Sequence, residues 1–259
     1  MKVAFGLAAA VALTFLALPV VAIFLQVSPV TLLHELGDPV ARDAVVVSVR
    51  TSLAAQALIV ALGTPTAYLL ATRRFRGRNV LLTLVELPLV LPPAVAGIGL
   101  LAAFGRMGLL PAGVAFTQSA VVLAVAFVAA PFYMRTAVAS FEAVDPQLVA
   151  AARTLGAGPW RVFARIALPL AGGGLGAGLA LSFARGLGEF GATIMFAGSL
   201  QRVTQTLPLA IYAEFARSFD VALAMGGLLV LFSFILLLVV KWLRFGWTSP
   251  FRFAPSTSA

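Results

Sequence analysis

A relay for protons or metal ions through an apolar chain needs acids, imidazoles or thiolates within reach of one another, and this sequence supplies few. Glu86 and Glu189 lie inside apolar runs and Glu142 lies at the end of one. Acids buried in a membrane mark ion pathways, but glutamates scattered this widely make a weak relay. The chain has no cysteine and one histidine, His34, so thiolate and histidine-cluster metal sites lack ligands. No Gly-x-x-x-x-Gly-Lys-Ser/Thr loop occurs, which leaves ATP no evident seat. We expect no catalytic residue, no metal site and no cofactor bound by this chain. The cations among the apolar runs have structural readings. Arg185 and Glu189 are four residues apart and can pair along one helix face. Arg50 and Arg135 lie near run ends, where a long side chain snorkels to water. Glu86 is read as structural.

The surroundings of these groups are those of a membrane protein. Of 259 residues, 61% are hydrophobic and 10% charged, against roughly a quarter charged in an average soluble domain. A run of about 20 apolar residues crosses the hydrocarbon core as a helix. Six such runs are expected, over 1–26, 45–70, 81–104, 120–139, from 166 until it reaches the stretch 185–191, and 221–240, forming one all-α membrane domain over residues 1–259. Val20-Val21-Ala22 resembles a signal-peptidase site, but the apolar run continues through Leu25, so the first run is read as a retained span. Pro88, Pro92 and Pro93 remove helix hydrogen bonds from the third run and should kink or break it. The small residues of 171–176 should let the fifth run approach another helix closely. Residues 201–220 read as a polar loop.

The net charge of +9 does not point to nucleic acid, because the basic residues sit in short segments between apolar runs without interleaved exposed aromatics. They read as topology signals. Arg73, Arg74, Arg76 and Arg78 fall within six residues, and with Lys2, Arg153, Arg161, Arg165, Lys241, Arg244 and Arg252 they place both termini in the cytoplasm by the positive-inside rule. Trp242 and Trp247 suit the interface.

One polar stretch interrupts this pattern, DPQLVAAARTLGAGPWRVFARIALP over 145–169. Asp145 can cap a helix that opens with Pro146. Leu148, Ala151, Ala152 and Leu155 share a face, and Gly156-Ala157-Gly158 ends it. A second helix starts at Pro159 and runs through Trp160 to Ile166.

This stretch resembles the cytoplasmic signature of ABC-importer permeases: two alanines, a glycine four residues after the second, nine residues, then Ile-x-Leu-Pro. Here these are Ala151, Ala152, Gly156, Ile166, Leu168 and Pro169, with Arg153 and Leu155 between them, and Ala150 stands where that family usually has glutamate. The resemblance implies a coupling helix that docks on a separate ATPase subunit, where ATP and Mg would bind. ELPLVLPPAVAG from Glu86, LGEFGAT from Leu187 and TQTLPLAIY from Thr204 look like the molybdate branch of these permeases. Tungstate and sulfate permeases are similar over much of the same length.

That resemblance implies an inner-membrane oxyanion importer fed by an extracytoplasmic binding protein, with a second copy of the chain completing the pore. Pro92, Pro93 and Gly97 would shape the path. Ser182 and Thr193 could offer it weak donors, and Glu189, which would repel an anion, would serve gating or pairing. The other readings weighed are an ion-coupled secondary transporter, which would need no ATPase, and a purely structural membrane protein.

Overall fold

The computed structural model describes residues 1–28, 30, 31, 34, 37–110 and 113–247, excluding the side chains of 2, 3, 236, 237 and 239–247. The described residues are helical, without a strand. Arg252 lies outside them, as do the side chains of Lys2, Lys241, Trp242, Arg244 and Trp247.

Helix α1 spans Lys2–Gln26 and α2 spans Pro39–Thr72. Four helical stretches are long and apolar enough to cross a membrane: Ala4–Gln26, Pro39–Thr72, Gln118–Glu142 and Pro159–Leu187. The kink or break expected in the third run is a break. Helix α3 (Arg78–Val90) and α4 (Pro93–Phe104) meet at 116°, and counted as one broken span they make a fifth crossing. Leu91 and Pro92 are extended there, at ψ 132° for both, because a proline disfavours helical backbone in the residue before it. The sixth run lies in α11 (Phe219–Trp247), whose apolar character is defined over Phe219–Ile235.

Two compact units follow from the contacts. The larger comprises 51–197 and 235–259. Its core is built on α5 (Gln118–Glu142), which buries residues on all sides, among them Val121, Val125, Tyr133 and Phe141. Against α5 packs α8 (Leu168–Leu187), and the reason is a repeat of small residues every four positions. A Cβ on Gly174 would overlap the Ser140 hydroxyl, one on Gly178 would lie 3.0 Å from the Thr136 Cβ, and one on Gly186 would lie 2.9 Å from Val125 Cγ1. The expected close approach therefore extends well beyond 171–176, and within that run Gly173 and Gly176 face open space. Numbers rise along α8 as they fall along α5, so the pair is antiparallel.

The smaller unit comprises 1–50 and 198–234. Here the expected polar loop over 201–220 is overturned: Leu207–Phe215 forms α10, with Leu207, Leu209 and Ala210 buried. Ala41, Ala44, Leu207, Ala210 and Met225 make its core. Ser48 Oγ accepts the Leu207 N–H at 2.7 Å, satisfying a donor at the start of α10 that has no intrahelical partner. Asp43 accepts from the Gln201 amide and pairs with Arg202 at 3.0 Å. A polar composition over 201–206 hid this packing, since Thr204, Gln205 and Thr206 are themselves buried.

Candidate functional site: the coupling segment and the broken span

The first helix of the segment 145–169 is closed at both ends as its spacing predicts. Asp145 accepts the Gln147 N–H at 2.8 Å and caps α6 (Pro146–Thr154), whose first residue is proline. Gly156 has φ +80°, a conformation that costs any residue with a Cβ about 1–2 kcal/mol. The Gly156 N–H bonds Arg153 O, and the Ala157 N–H bonds Ala152 O, the paired closure of a helix end around a left-handed residue.

The second helix does not stop at Ile166. Pro159–Val162 forms α7, which passes through a π-helical turn at Phe163–Ala167 directly into α8. The second helix of the segment and a membrane helix are thus one continuous rod with an inserted residue, a device often found at functional positions. Ile166 and Leu168 are half-buried at this junction and Pro169 is exposed.

Among what α6, its turn and the start of α7 present outward are large apolar side chains. Leu148 is 49% exposed, Leu155 87% and Trp160 75%; Ala151, Arg153 and Gly156 are exposed as well, and Ala152 is half-buried. Behind them stands an aromatic cluster that the sequence did not disclose. Trp160 packs on Phe163 at 5.4 Å between ring centroids, Phe163 on Tyr68 at 4.8 Å, and Tyr68 edge-on to Phe141 at 5.3 Å. These rings tie α7 to α2 and α5, and such pairs add about 0.5–1.5 kcal/mol each beyond burial. No spacing rule separates an aromatic facing its own protein from one facing lipid.

A second constellation surrounds the broken span. Helix α4 lies against the short helix α9 (Gly191–Ala197). A Cβ on Gly97 would stand 2.6 Å from Ala192 O, and one on Gly191 2.7 Å from the Pro93 Cβ. Glu189, almost fully buried, joins the two halves of the break between α8 and α9. Its Oε2 pairs with Arg185 Nη2 at 2.7 Å, and its Oε1 accepts the Ala192 N–H at 2.8 Å. The i, i+4 pair expected from the sequence is therefore formed, and the same carboxylate also satisfies a backbone donor.

Pro93, Gly97, Glu189 and Thr193 come together in this seam, while Ser182 lies elsewhere. Its Oγ donates to Gln56 Oε1 at 2.7 Å, and Gln56 Nε2 donates to Leu179 O at 2.9 Å. Gln56 went unnoticed in the sequence because an isolated amide in an apolar run has no motif. Thr193 is fully buried and its hydroxyl has no partner among the described residues. Pro92 and Pro93 are exposed and Gly97 is buried.

The other intramembrane acids are engaged too. Glu86 pairs with Arg135 at 3.1 Å, and Glu142 with Arg78 at 2.5 Å. Arg135 was expected to be an interface anchor; its ion pair gives it a partner within the chain. Among the described residues no group of three or more His, Cys, Asp or Glu is placed to hold a metal ion.

A broken span beside the Arg185–Glu189 pair, with an exposed, glycine-terminated helix ahead of a membrane rod, fits a membrane component of a transport system. The chain belongs to the family of binding-protein-dependent transport system inner membrane components, whose model matches residues 59–248. It is a multi-pass membrane protein. It is 44% identical over 242 residues to the molybdenum transport system permease protein ModB of Mycobacterium tuberculosis, covering 88% of this chain and 89% of the relative. A probable molybdenum ABC transporter permease of Haloferax volcanii is 42% identical over 232 residues, covering 86% and 85%. Among solved structures, the fold is that of a bacterial alginate ABC transporter crystallised with a periplasmic protein carrying an alginate pentasaccharide. The TM-score is 0.74 at 15% identity, over 93% of this chain and 91% of that one. The methionine transporter MetNI gives a TM-score of 0.66 at 17% identity, over 81% and 96%.

Proposed function

We propose that this chain is the permease subunit of an ATP-driven importer of molybdate, working as a homodimer with two ATPase subunits and an extracytoplasmic binding protein. The observation that carries the reading is the 44% identity to a molybdenum permease over 88% of the chain, which includes the segment 145–169. In this reading Leu148, Leu155 and Trp160 enter a groove on the ATPase, which holds ATP and Mg. Movement there passes through the π turn into α8. Both termini and the segment 145–169 lie in the cytoplasm, and six spans cross the membrane.

The seam of α4 and α9 is the candidate gate. The Glu189 charge is held by Arg185 and a backbone N–H, so it presents little free negative charge to a passing dianion. Pro92 and Pro93, exposed at the break, are placed to line the path. Weak donors suit a pore, because tight binding would stop release.

An ion-coupled transporter would use Glu86, Glu142 or Glu189 as its relay. Each instead forms an ion pair with an arginine, which leaves none of them a bare acid along a relay.

The test is ATP hydrolysis by the chain reconstituted with its ATPase and binding protein, titrated with molybdate, tungstate and sulfate at matched concentrations. Stimulation by molybdate is expected. Stimulation by sulfate or tungstate alone would reassign the substrate, and failure to associate with any ATPase would remove the importer reading.

A further inference from the structure

The arginine run 73–78 does more in the structure than set orientation. It borders a cavity of about 730 Å³ lined by Arg74, Phe75, Arg78, Val80, Glu142 and Pro146, among others. Arg78 is fixed on both sides, by a 2.6 Å bond from its Nε to Leu70 O and by its ion pair with Glu142. That pair neutralises Glu142. Arg74 lines the same cavity, and Arg73, Arg74 and Arg76 make no ion pair among the described residues. The lining therefore keeps a net positive charge, with one guanidinium held in place and one free to close on a ligand.

Beside this charged cavity runs an apolar strip. Val80, which lines it, is 62% exposed, and Leu84 and Leu87 continue the same face of α3 at 55% and 46% exposure; residues three and four apart share a helix face. A free anion would use the cavity and leave the strip uncovered. A ligand with an anionic head and an acyl tail covers both.

We infer that this cavity is a binding site for the headgroup of an anionic phospholipid of the cytoplasmic leaflet, its acyl chain lying along Val80, Leu84 and Leu87. The site rests on the membrane placement given under the proposed function. Pro146, the first residue of α6, forms part of its wall, so the lipid sits against the base of the segment that meets the ATPase.

The experiment is lipid selectivity of the full-length chain in phosphatidylcholine vesicles. It compares spin-labelled phosphatidylglycerol with spin-labelled phosphatidylcholine by the fraction motionally restricted at the protein. Preference for phosphatidylglycerol is expected, and Arg74→Gln should reduce it about fivefold, the worth of one basic residue near an anionic surface. Arg76→Gln, which leaves the cavity lining intact, should change it far less. Equal effects of the two substitutions would reduce the site to a general positive surface and overturn the inference, as would the absence of any preference. Inorganic phosphate at millimolar concentration should not displace the lipid; displacement would make the occupant a free anion. A maleimide that cannot cross membranes should label Arg76→Cys in cells only after the inner face is opened. Labelling from outside would overturn the orientation, whereas loss of lipid preference overturns the site alone.

Discussion

Helices α5 and α6 are separated by three residues and live under opposite conditions. Helix α5 buries residues along its whole length, from Ala120 to Phe141, whereas α6 buries none. The first is held by tertiary contact, chiefly the glycine repeat of α8. The second is held by an aspartate cap, a left-handed glycine and light contact with the turn that follows. Isolated helices of nine residues are marginal in water, so α6 depends on those terminal devices. Leu155, at its end and 87% exposed, adds little to the packing of the chain, which frees it to fit another molecule. The difference teaches that a chain can place its packing and, in the proposed function, its transmission on neighbouring but separate stretches.

Substitutions can break this contrast. Gly156→Val strikes the exposed side hardest: a β-branched residue resists φ +80°, so α6 should lose its closure. Molybdate uptake should fall at least about tenfold, while the amount of protein in the membrane stays unchanged because nothing buried is disturbed. Uptake at the original rate would show that the turn does not transmit motion. On the interior side, Gly97→Val drives carbon into a backbone carbonyl that has little freedom to yield, at a cost of about 3 kcal/mol. A lowered thermal midpoint in detergent would register it, and an unchanged midpoint would mean that α4 and α9 separate freely.

Glu189→Ala should cost about 2 kcal/mol. Breaking a fully buried pair costs about 3–5 kcal/mol, and this one is discounted because the Arg185 side chain is 29% exposed. Glutamine, which keeps the bond from Ala192, should recover part of the loss. The smallest effect sharpens the comparison most. Leu155→Ala should leave the midpoint within about 0.5 kcal/mol, since the side chain is 87% exposed, yet weaken co-purification of the ATPase. A large stability loss would place Leu155 in the chain's own core.

Much of this division was legible in the sequence. Asp145, Pro146 and Gly156 are local signals whose meaning does not depend on distant neighbours, and the structure realises each of them. The Arg185–Glu189 pair was readable for the same reason, since i, i+4 geometry is fixed by the helix itself. What escaped were relations between distant residues. Gln56 and Ser182 are 126 positions apart, and nothing in either run announces that they meet. The loop expected over 201–220 failed because polarity was taken for exposure; Thr204 is fully buried with its hydroxyl donated to by the Leu200 N–H. The glycine cluster 171–176 drew attention by density, but the contacting face is the sparser repeat of Gly174, Gly178 and Gly186. A membrane core has no alternation between oil and water to reveal which side of a helix faces protein.

The bond between Arg78 and Glu142 also decides a question of parity. It joins the beginning of α3 to the end of α5, and Glu86 with Arg135 repeats the match about two turns along. Helix α5, at 25 residues, is about 37 Å long, so its two ends lie on opposite faces of a 30 Å hydrocarbon layer. A chain that leaves from beside the last residue of α5 and arrives at its first must have crossed an odd number of times. With α5 taken as one of the spans its length and composition allow, the 116° break reads as a detour within a single passage. Whatever the direction of insertion, residues 73–78 and 145–169 emerge on one shore.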